Sequence, residues 1–242
     1  MKHQLIAPQG NDQSERDAII RRYSKRAPVG TDYRYTMLNP DVLHAMQERQ
    51  RVIVGFLKQY SLKPLSALKI LEVGCGDGSN ILELLRIGCC PSNIVGNDLL
   101  ADRLSVARRN LPQAVQLYGG DASNLVFDES SFDIVYQSTV FSSLLDDKYQ
   151  ELLASRMWSW VRPGGAVLWY DFIYNNPVNP NVRGVPPRRV QDLFSKAHIY
   201  SHRVTLAPPL SRRFCRVHPS LYTILNMIPW LRTHFICWLQ KI

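Results

Sequence analysis

Residues 71–78 read Leu71-Glu72-Val73-Gly74-Cys75-Gly76-Asp77-Gly78 and join two segments with different hydrophobic patterns. Residues 67–71 are mostly apolar, as in a buried strand, whereas residues 79–85 have the apolar spacing of a helix. Glycines at every second position allow positive φ angles and let a ligand approach the backbone without meeting a Cβ atom. The stretch therefore predicts a strand, a tight turn and a helix N-terminus, which is the local architecture of a nucleotide-type cofactor site.

The charge and the spacing within this turn disfavour a dinucleotide. Glu72 carries the wrong charge for a pyrophosphate, but it suits a ribose hydroxyl or a cationic group. In the fingerprint G-x-G-x-x-G the third glycine would stand at position 79, which is Ser79, whereas this chain has Gly78 instead. A nicotinamide or flavin site is therefore the less favoured interpretation.

The composition fits a globular protein of one large domain, or of a domain and a small lid. Of its 242 residues 45% are hydrophobic, and the first residues lack the apolar stretch of a signal peptide. No run approaches the roughly 18 apolar residues of a membrane span. We expect a cytoplasmic protein without an integral membrane segment. Its cysteines lack the paired spacing of a metal site and are expected to be reduced thiols; they are Cys75, Cys89, Cys90, Cys215 and Cys237.

The formal net charge of +9 leaves several kinds of partner open. Basic residues cluster within residues 21–26, 188–189 and 212–216. Such a balance favours an acidic substrate, a nucleic acid or an anionic membrane surface, but it is equally compatible with a solvated basic surface.

Strand and helix patterns alternate from residue 68 onward. The predicted strands are 68–73, 93–98, 114–118, 132–138 and 165–172, with helices at 79–87, 101–110 and 146–161. Such alternation predicts right-handed βαβ crossovers and a mostly parallel sheet.

Both ends of the chain add elements to this pattern. Before it, helices are predicted at 14–26, ending at the Pro-Val-Gly of residues 28–30, and from Pro40 to about Tyr60. After it, the sequence predicts a helix at 187–197, a strand at 201–206 and a helix at 221–228. Residues 233–239 favour a core strand over an interfacial membrane helix.

Residues 68–175 resemble the class I S-adenosylmethionine-dependent methyltransferases. The glycine-rich motif of that family corresponds to Glu72-x-Gly74-x-Gly76-x-Gly78. The acid that ends its second strand corresponds to Asp98, and the acid after its third strand corresponds to Asp121. The Pro-Gly-Gly that often precedes its fifth strand is found at residues 163–165. Four motifs in the right order are more specific than any single glycine turn.

The resemblance implies an α/β, Rossmann-like fold with a seven-stranded, mostly parallel sheet, an antiparallel last strand and helices on both faces. Residues 1–60 would form an N-terminal helical lid, and residues 61–242 the S-adenosylmethionine-binding domain. The cofactor would be S-adenosyl-L-methionine, leaving as S-adenosyl-L-homocysteine. The residues assigned to its site are Glu72, Gly74, Gly76, Gly78, Asn80, Asp98, Leu99, Asp121, Ala122 and Gln137.

The charge of this cofactor agrees with the residues independently of the family. A sulfonium is cationic at its reacting centre and has no phosphates. Carboxylates that accept hydrogen bonds from ribose hydroxyls make charge-assisted contacts, about twice as strong as neutral ones. Acids around a glycine turn therefore suit it better than a phosphate cradle would.

The acceptor site is predicted from the segment after the fifth strand. Residues 170–184 are rich in Asn, Pro and Tyr and lie at the carboxyl edge, where open α/β sheets bind ligands. Asp171 is the candidate general base or acceptor-orienting residue. A rigid loop of turns is the competing interpretation. The residues assigned to acceptor binding are Tyr23, Tyr33, Ser138, Asn175 and Arg183.

The absence of two motifs narrows the range of possible methyl acceptors. Residues 137–141 match neither the Asp/Asn-Pro-Pro-Tyr of adenine and glutamine amino-methyltransferases nor the acids of Mg²⁺-dependent catechol-type enzymes. We therefore expect no metal and O-methylation of a small polar molecule or sugar hydroxyl in a bacterial biosynthetic pathway. The alternatives are an RNA or protein methyltransferase, an N- or C-methyltransferase of a secondary metabolite, or a non-catalytic binder. Nucleic acid is not the expected partner, and the protein is expected to be a monomer or a homodimer.

Overall fold

The computed structural model describes residues 10–24 and 33–242. The helix break predicted at residues 28–30 lies outside the described residues, as do residues 1–9 and 25–32 of the predicted lid. In the described part of the chain, no helix is long and apolar enough to cross a membrane.

The described residues form one seven-stranded sheet. Its spatial order is β3-β2-β1-β4-β5-β7-β6, with β7 antiparallel to both of its neighbours and the other pairs parallel. The strands are β1 (Ile70–Val73), β2 (Ile94–Asp98), β3 (Gln116–Gly119), β4 (Phe132–Ser138), β5 (Val161–Phe172), β6 (His198–Leu206) and β7 (Arg232–Gln240).

Helices cover both faces of this sheet and create two apolar cores. Val135 and Val167 point to one core, with residues of α1, α5 and α6. Their neighbours Ile134 and Leu168 point to the other, with residues of α2, α3 and α4. The helices are α1 (Gly10–Ser24), α2 (Pro40–Tyr60), α3 (Ser79–Arg86), α4 (Ala101–Asn110), α5 (Asp147–Trp160), α6 (Pro187–Leu193), α7 (Pro208–Cys215) and α8 (Ser220–Asn226).

This architecture confirms the predicted fold class, including the antiparallel last strand. Each predicted strand is present, with ends that differ by a few residues. Two features of the tail differ from the prediction. The helix predicted at 187–197 ends at Leu193, because β6 begins at His198 rather than at residue 201. Helix α7 was not predicted, since Pro208 and Pro209 are typical of a loop as well as of the first turn of a helix.

The two predicted lid helices have different positions. In α2, Phe56 packs on Trp238 of β7 with ring centroids 6.2 Å apart, so this helix is part of the core. Helix α1 instead contributes Ile19 to the opposite core, next to the carboxyl edge of the sheet. The division of the chain at residue 60 stays a prediction.

A buried carboxylate joins α2 to the tail of the chain. Glu48 accepts hydrogen bonds from the backbone N–H of Thr205 at 2.9 Å and from the hydroxyl of Tyr222 at 3.0 Å. Its second oxygen accepts one from Asn226 at 2.7 Å. A single side chain thus connects α2, β6 and α8.

We expect the substitution Glu48→Ala to lower the free energy of unfolding by about 3 kcal/mol or more, because it leaves three donors of the tail without their acceptor. Urea denaturation measures this change. Glu129→Ala, which removes an exposed carboxylate, is the matched control and should stay within about 0.5 kcal/mol of the wild type. Equal stability of the two variants would contradict the linking role of Glu48.

Candidate functional site

The turn between β1 and α3 depends on three glycines with left-handed backbones. Gly74, Gly76 and Gly78 have φ angles of 70°, 58° and 86°. A Cβ atom on Gly74 would stand 2.4 Å from a methyl group of Val140, and one on Gly78 would stand 2.7 Å from Leu111. All three positions therefore favour glycine by their positive φ angles, and Gly74 and Gly78 also by lack of space.

Asp98, at the end of β2, fixes this turn from the neighbouring strand. One oxygen accepts a hydrogen bond from the backbone N–H of Gly76 at 2.8 Å, and the other accepts one from Leu100 at 2.9 Å. Burial raises the pKa of Asp98 above its ordinary value, although these two bonds act in the opposite direction. Each oxygen keeps a lone pair for a further donor.

Asp121, after β3, presents an unsatisfied acceptor. Its Oδ1 accepts hydrogen bonds from the N–H and the hydroxyl of Ser123, at 2.8 and 2.7 Å, and also from the hydroxyl of Tyr149. Its Oδ2 is buried and has no hydrogen-bond partner among the described residues. A buried acceptor without a partner is costly, so it marks a place where a donor from a ligand would fit.

These groups line one cavity at the carboxyl edge of the sheet. It encloses about 680 Å³ of space between atoms, part of which is open to solvent. Seven residues of the predicted site lie in its wall, namely Tyr23, Gly74, Asp98, Leu99, Asp121, Ala122 and Ser138.

Helix α1 closes one side of the cavity. The hydroxyl of Tyr23 is 2.8 Å from the hydroxyl of Ser143, and the guanidinium of Arg103 lies over the Tyr23 ring, 4.7 Å from its centroid. Arg22 donates a hydrogen bond to the carbonyl of Ser143 at 2.9 Å. Glu15 accepts one from the N–H of Leu145, also at 2.9 Å. The helix is thus fastened to the segment that follows β4, and the role of Tyr23 in a lid stays a prediction.

Glu72 lies outside the cavity wall. It is 0% exposed and faces α2 and α3, where its Oε1 accepts a hydrogen bond from Asn80 at 2.7 Å. Burial raises the pKa of Glu72 to about 8. Glu72 and Asn80 therefore fix the start of α3 behind the glycine turn, and the contact of these two residues with a cofactor stays a prediction.

Two further predicted residues, Gly76 and Gln137, shape the wall from behind. Gly76 donates its N–H to Asp98. Gln137 is fully buried, and its side-chain oxygen accepts a hydrogen bond from the N–H of Val140 at 3.0 Å. Gln137 thus fixes the turn after β4, which brings Ser138 and Thr139 into the cavity.

Asp171, the predicted catalytic residue, is 0% exposed and does not line the cavity. Its two oxygens accept hydrogen bonds from the N–H groups of Ser142 and Phe172, both at 3.0 Å. Burial raises the pKa of Asp171 to about 7. The carboxyl group therefore supports the turn that carries Ser143, which itself lines the cavity.

The other predicted acceptor residues are not brought together. Arg183 pairs with Asp147, and Asn175 accepts a hydrogen bond from the N–H of Gly184 at 3.0 Å within its own loop. Tyr33 is largely exposed in a short 3₁₀ turn before α2. The contacts within the loop around Asn175 match the competing interpretation of a rigid turn.

Several cavity residues were missed by sequence reasoning. Arg103 and Tyr149 are two polar examples, and both belong to helices. Arg103 is five residues after Asp98, in the first turn of the next helix, and this closeness in sequence is the signal that could have predicted it. Tyr149 and Asp121 are 28 residues apart, and the sequence pattern around either residue does not predict their contact.

Buried charge also lies next to the end of β4. Arg49 of α2 donates a hydrogen bond to Glu83 at 3.2 Å and to the hydroxyl of Ser138 at 3.5 Å. Its guanidinium lies over the Tyr170 ring, 5.2 Å from the centroid. No group of three His, Cys, Asp or Glu residues suited to a metal ion occurs in the part of the chain that the structure describes.

Comparisons with known proteins agree with this geometry. Residues 70–165 match the family model described as "Methyltransferase domain". A phthiotriol/phenolphthiotriol dimycocerosates methyltransferase of Mycobacterium ulcerans is 33% identical over 131 residues, which are 52% of this chain and 46% of that protein. The chain thus spans less than half the length of the curated relatives it matches.

Two solved structures show how far the fold is shared. A phosphoethanolamine N-methyltransferase of Haemonchus contortus has a TM-score of 0.64 at 15% identity, over 98% of this chain and 52% of that one. A geranyl diphosphate C-methyltransferase of Streptomyces coelicolor also has a TM-score of 0.64, at 12% identity, over 94% and 98% of the two chains. The match therefore identifies residues 70–165 as a methyltransferase domain, and the two solved structures share its fold.

Proposed function

We propose that this protein transfers a methyl group from S-adenosylmethionine to a small polar molecule. The observation that carries the proposal is the convergence of Asp98 and Asp121 on one cavity beside the glycine turn. The two acids end neighbouring strands, and the Oδ2 of Asp121 lacks a partner among the described residues.

The donors and acceptors of the cavity fit this cofactor. The remaining lone pairs of Asp98 suit two vicinal hydroxyls of a ribose, and the Oδ2 of Asp121 suits an adenine amine. The glycine turn gives close access to backbone groups for an amino acid moiety. These two carboxylates are the acids of the described cavity wall, and they favour a ligand with hydroxyls and positive charge over one with phosphates.

When bound, the cofactor supplies an electrophilic methyl group on a sulfonium. The chain itself holds the ligands in line and excludes water, which together account for much of the rate in such displacements. Helix α1 excludes water, since Tyr23 and Arg22 fasten it over the cavity.

We expect Asp98→Ala to weaken the binding of S-adenosylhomocysteine at least roughly 100-fold, because two charge-assisted hydrogen bonds are lost. Isothermal titration calorimetry measures this change, and circular dichroism verifies the fold. Asp102→Ala removes an exposed acid from α4 and serves as the control, with unchanged affinity. If Asp98→Ala binds like the wild type, the ribose assignment is wrong.

The acceptor end of the cavity favours a hydrogen-bonding molecule. Hydroxyl groups of Tyr23, Ser138, Thr139 and Ser143 belong to its wall. Such a lining suits a sugar or another polyhydroxylated compound, whose hydroxyl would be O-methylated. This hydroxyl-rich wall supports the finer form of the proposal.

N- or C-methylation is the second candidate, favoured by a different observation. Asp98 and Asp121 are the carboxylates of the described wall, and both are engaged by the cofactor in this proposal. An unactivated hydroxyl needs a general base, whereas a neutral amine does not. The two solved structures named above come from an N- and a C-methyltransferase.

An assay of acceptor panels separates the two candidates. The enzyme is incubated with radiolabelled S-adenosylmethionine and, in separate reactions, nucleotide sugars, amino alcohols and isoprenoid diphosphates, and the product is mapped by NMR. Labelling of a sugar oxygen is the expected result. Labelling of nitrogen or carbon alone would show that the protein is an N- or C-methyltransferase. Binding of the cofactor without transfer to any acceptor would support a non-catalytic binder.

We assign Asp171 a positioning role rather than that of a general base. Both of its oxygens are occupied by backbone N–H groups, and it has no exposed surface. Through Ser142 it holds the turn on which Ser143 meets Tyr23 of the lid. It therefore acts on the acceptor through this turn.

We expect Asp171→Asn to keep kcat within about tenfold of the wild type, because one amide oxygen still accepts a backbone hydrogen bond. Asp171→Ala should lose more activity and raise KM for the acceptor. The pH profile of the Asn variant should match that of the wild type. Loss of activity beyond roughly a thousandfold in the Asn variant, together with loss of a wild-type ionisation near pH 7, would instead indicate a base.

The same variant gives a stability readout. Folding raises the pKa of Asp171 to about 7, so the folded state binds the proton more tightly than the unfolded state does. The contribution of this group to stability is complete below its unfolded pKa and is lost as pH rises through about 7. The stability of the wild type relative to Asp171→Asn should therefore decrease between pH 4 and pH 7.

A further inference from the structure

Helices α7 and α8, with the residues that follow each of them, expose apolar and basic side chains. We define it as the apolar–basic face, formed by Arg213, Arg216, Val217, Ile224, Met227 and Trp230. We propose that this face docks the protein onto the surface of an anionic lipid bilayer.

The apolar part of the face is large for a surface exposed to water. Trp230 is 83% exposed, Val217 77%, Met227 73% and Ile224 57%. Single apolar side chains are ordinary on a surface, but four exposed within fourteen residues of the sequence are a concentration that favours an interaction site. Tryptophan in particular prefers the boundary between water and lipid headgroups.

The basic part of the face supplies charge complementarity. Residues 193–242 contain seven Lys and Arg residues and no Asp or Glu, so they carry seven of the nine units of net charge. Arg213 and Arg216 are exposed, and neither forms an ion pair with a carboxylate of the described residues. A basic surface next to exposed apolar residues is the composition that binds anionic headgroups.

The fold holds these side chains outward. The inner sides of α7 and α8 bury Cys215 and Tyr222 against Leu206 of β6. Glu48 of α2 fixes α8 through Tyr222 and Asn226. The helices are only eight and seven residues long, so this anchoring, rather than their intrinsic stability, keeps the face in shape.

Other partners fit this face less well. A nucleic acid would use the arginines, but it offers nothing apolar for Val217, Ile224 and Met227 to bury in. A second copy of the chain in a symmetric dimer would bring arginine against arginine without a carboxylate from this region, because an isologous contact repeats the same residues on both sides.

Helix α2 connects the elements that carry this face with the wall of the cavity. Glu48, which holds α8, is followed in α2 by Arg49, and Arg49 contacts Ser138 of the cavity wall. The segment before α2 also exposes two apolar side chains, Met37 by 58% and Leu38 by 91%. A bilayer at this face would therefore contact elements that α2 joins to the cavity wall.

Vesicle flotation with the full chain tests the proposal. The protein is mixed with vesicles of phosphatidylcholine alone or with about one third phosphatidylglycerol. We expect binding to the anionic vesicles that weakens with salt. The double variant Arg213→Glu/Arg216→Glu should lower the partition coefficient at least about 30-fold, because each basic residue near an anionic surface increases binding roughly fivefold or more. Met227→Ala/Trp230→Ala should lower it more than about tenfold.

Matched controls separate this face from general charge and hydrophobicity. Arg108→Glu/Arg109→Glu reverses two exposed charges on α4, and Leu62→Ala removes an exposed apolar side chain far from α8 in sequence. Both should bind like the wild type. No binding of the wild type to anionic vesicles would overturn the proposal, and so would equal losses in the two charge-reversal variants. If the protein does not bind vesicles but dimerises through Arg213 and Arg216, the face is a contact with a second copy of the chain. If it instead binds RNA through these two residues, the face is an RNA-binding surface.

Discussion

The hydrogen bond between the Asp98 carboxylate and the N–H of Gly76 is the contact on which the cavity depends. It ties the loop after β1 to the end of β2, and the bond from Leu100 fixes the same carboxylate from the segment that follows β2. A left-handed glycine turn without such a tie would have many conformations, because glycine loses the most conformational freedom on folding. The tie fixes the cavity wall and holds Asp98 in a buried position where its remaining lone pairs can accept further hydrogen bonds.

The predicted residues that the structure brings to the cavity are mostly those whose position a strand end determines. Asp98 and Asp121 follow neighbouring parallel strands, and the carboxyl ends of such strands meet at one edge, so their proximity follows from order along the chain. The glycines are similar, since Gly74 and Gly78 need positive φ angles that few other residues adopt. For these residues, local sequence and topology are sufficient.

The parts that sequence could not predict depend on packing between distant elements. Glu72 and Asp171 are also at strand ends, but the alternation of side chains turns Glu72 toward α2 and α3, while Asp171 is covered by the turn at Ser142. Tyr149 reaches Asp121 only because α5 packs under the cavity. The docking of α1 through Tyr23 likewise depends on tertiary contacts across about 120 residues. Residue type and spacing contain no information on which acid is enclosed and which remains accessible.

The position of β7 has a consequence for folding during synthesis. This strand is the last in the sequence, yet it inserts between β5 and β6, so both of these have an unpaired edge until residues 232–240 have left the ribosome. Unpaired strand edges are templates for association with other chains. The interval during which β5 and β6 wait for β7 is therefore the stage at which a nascent chain is most exposed to aggregation and to chaperone binding, and a slow step in translation after β6 would prolong it.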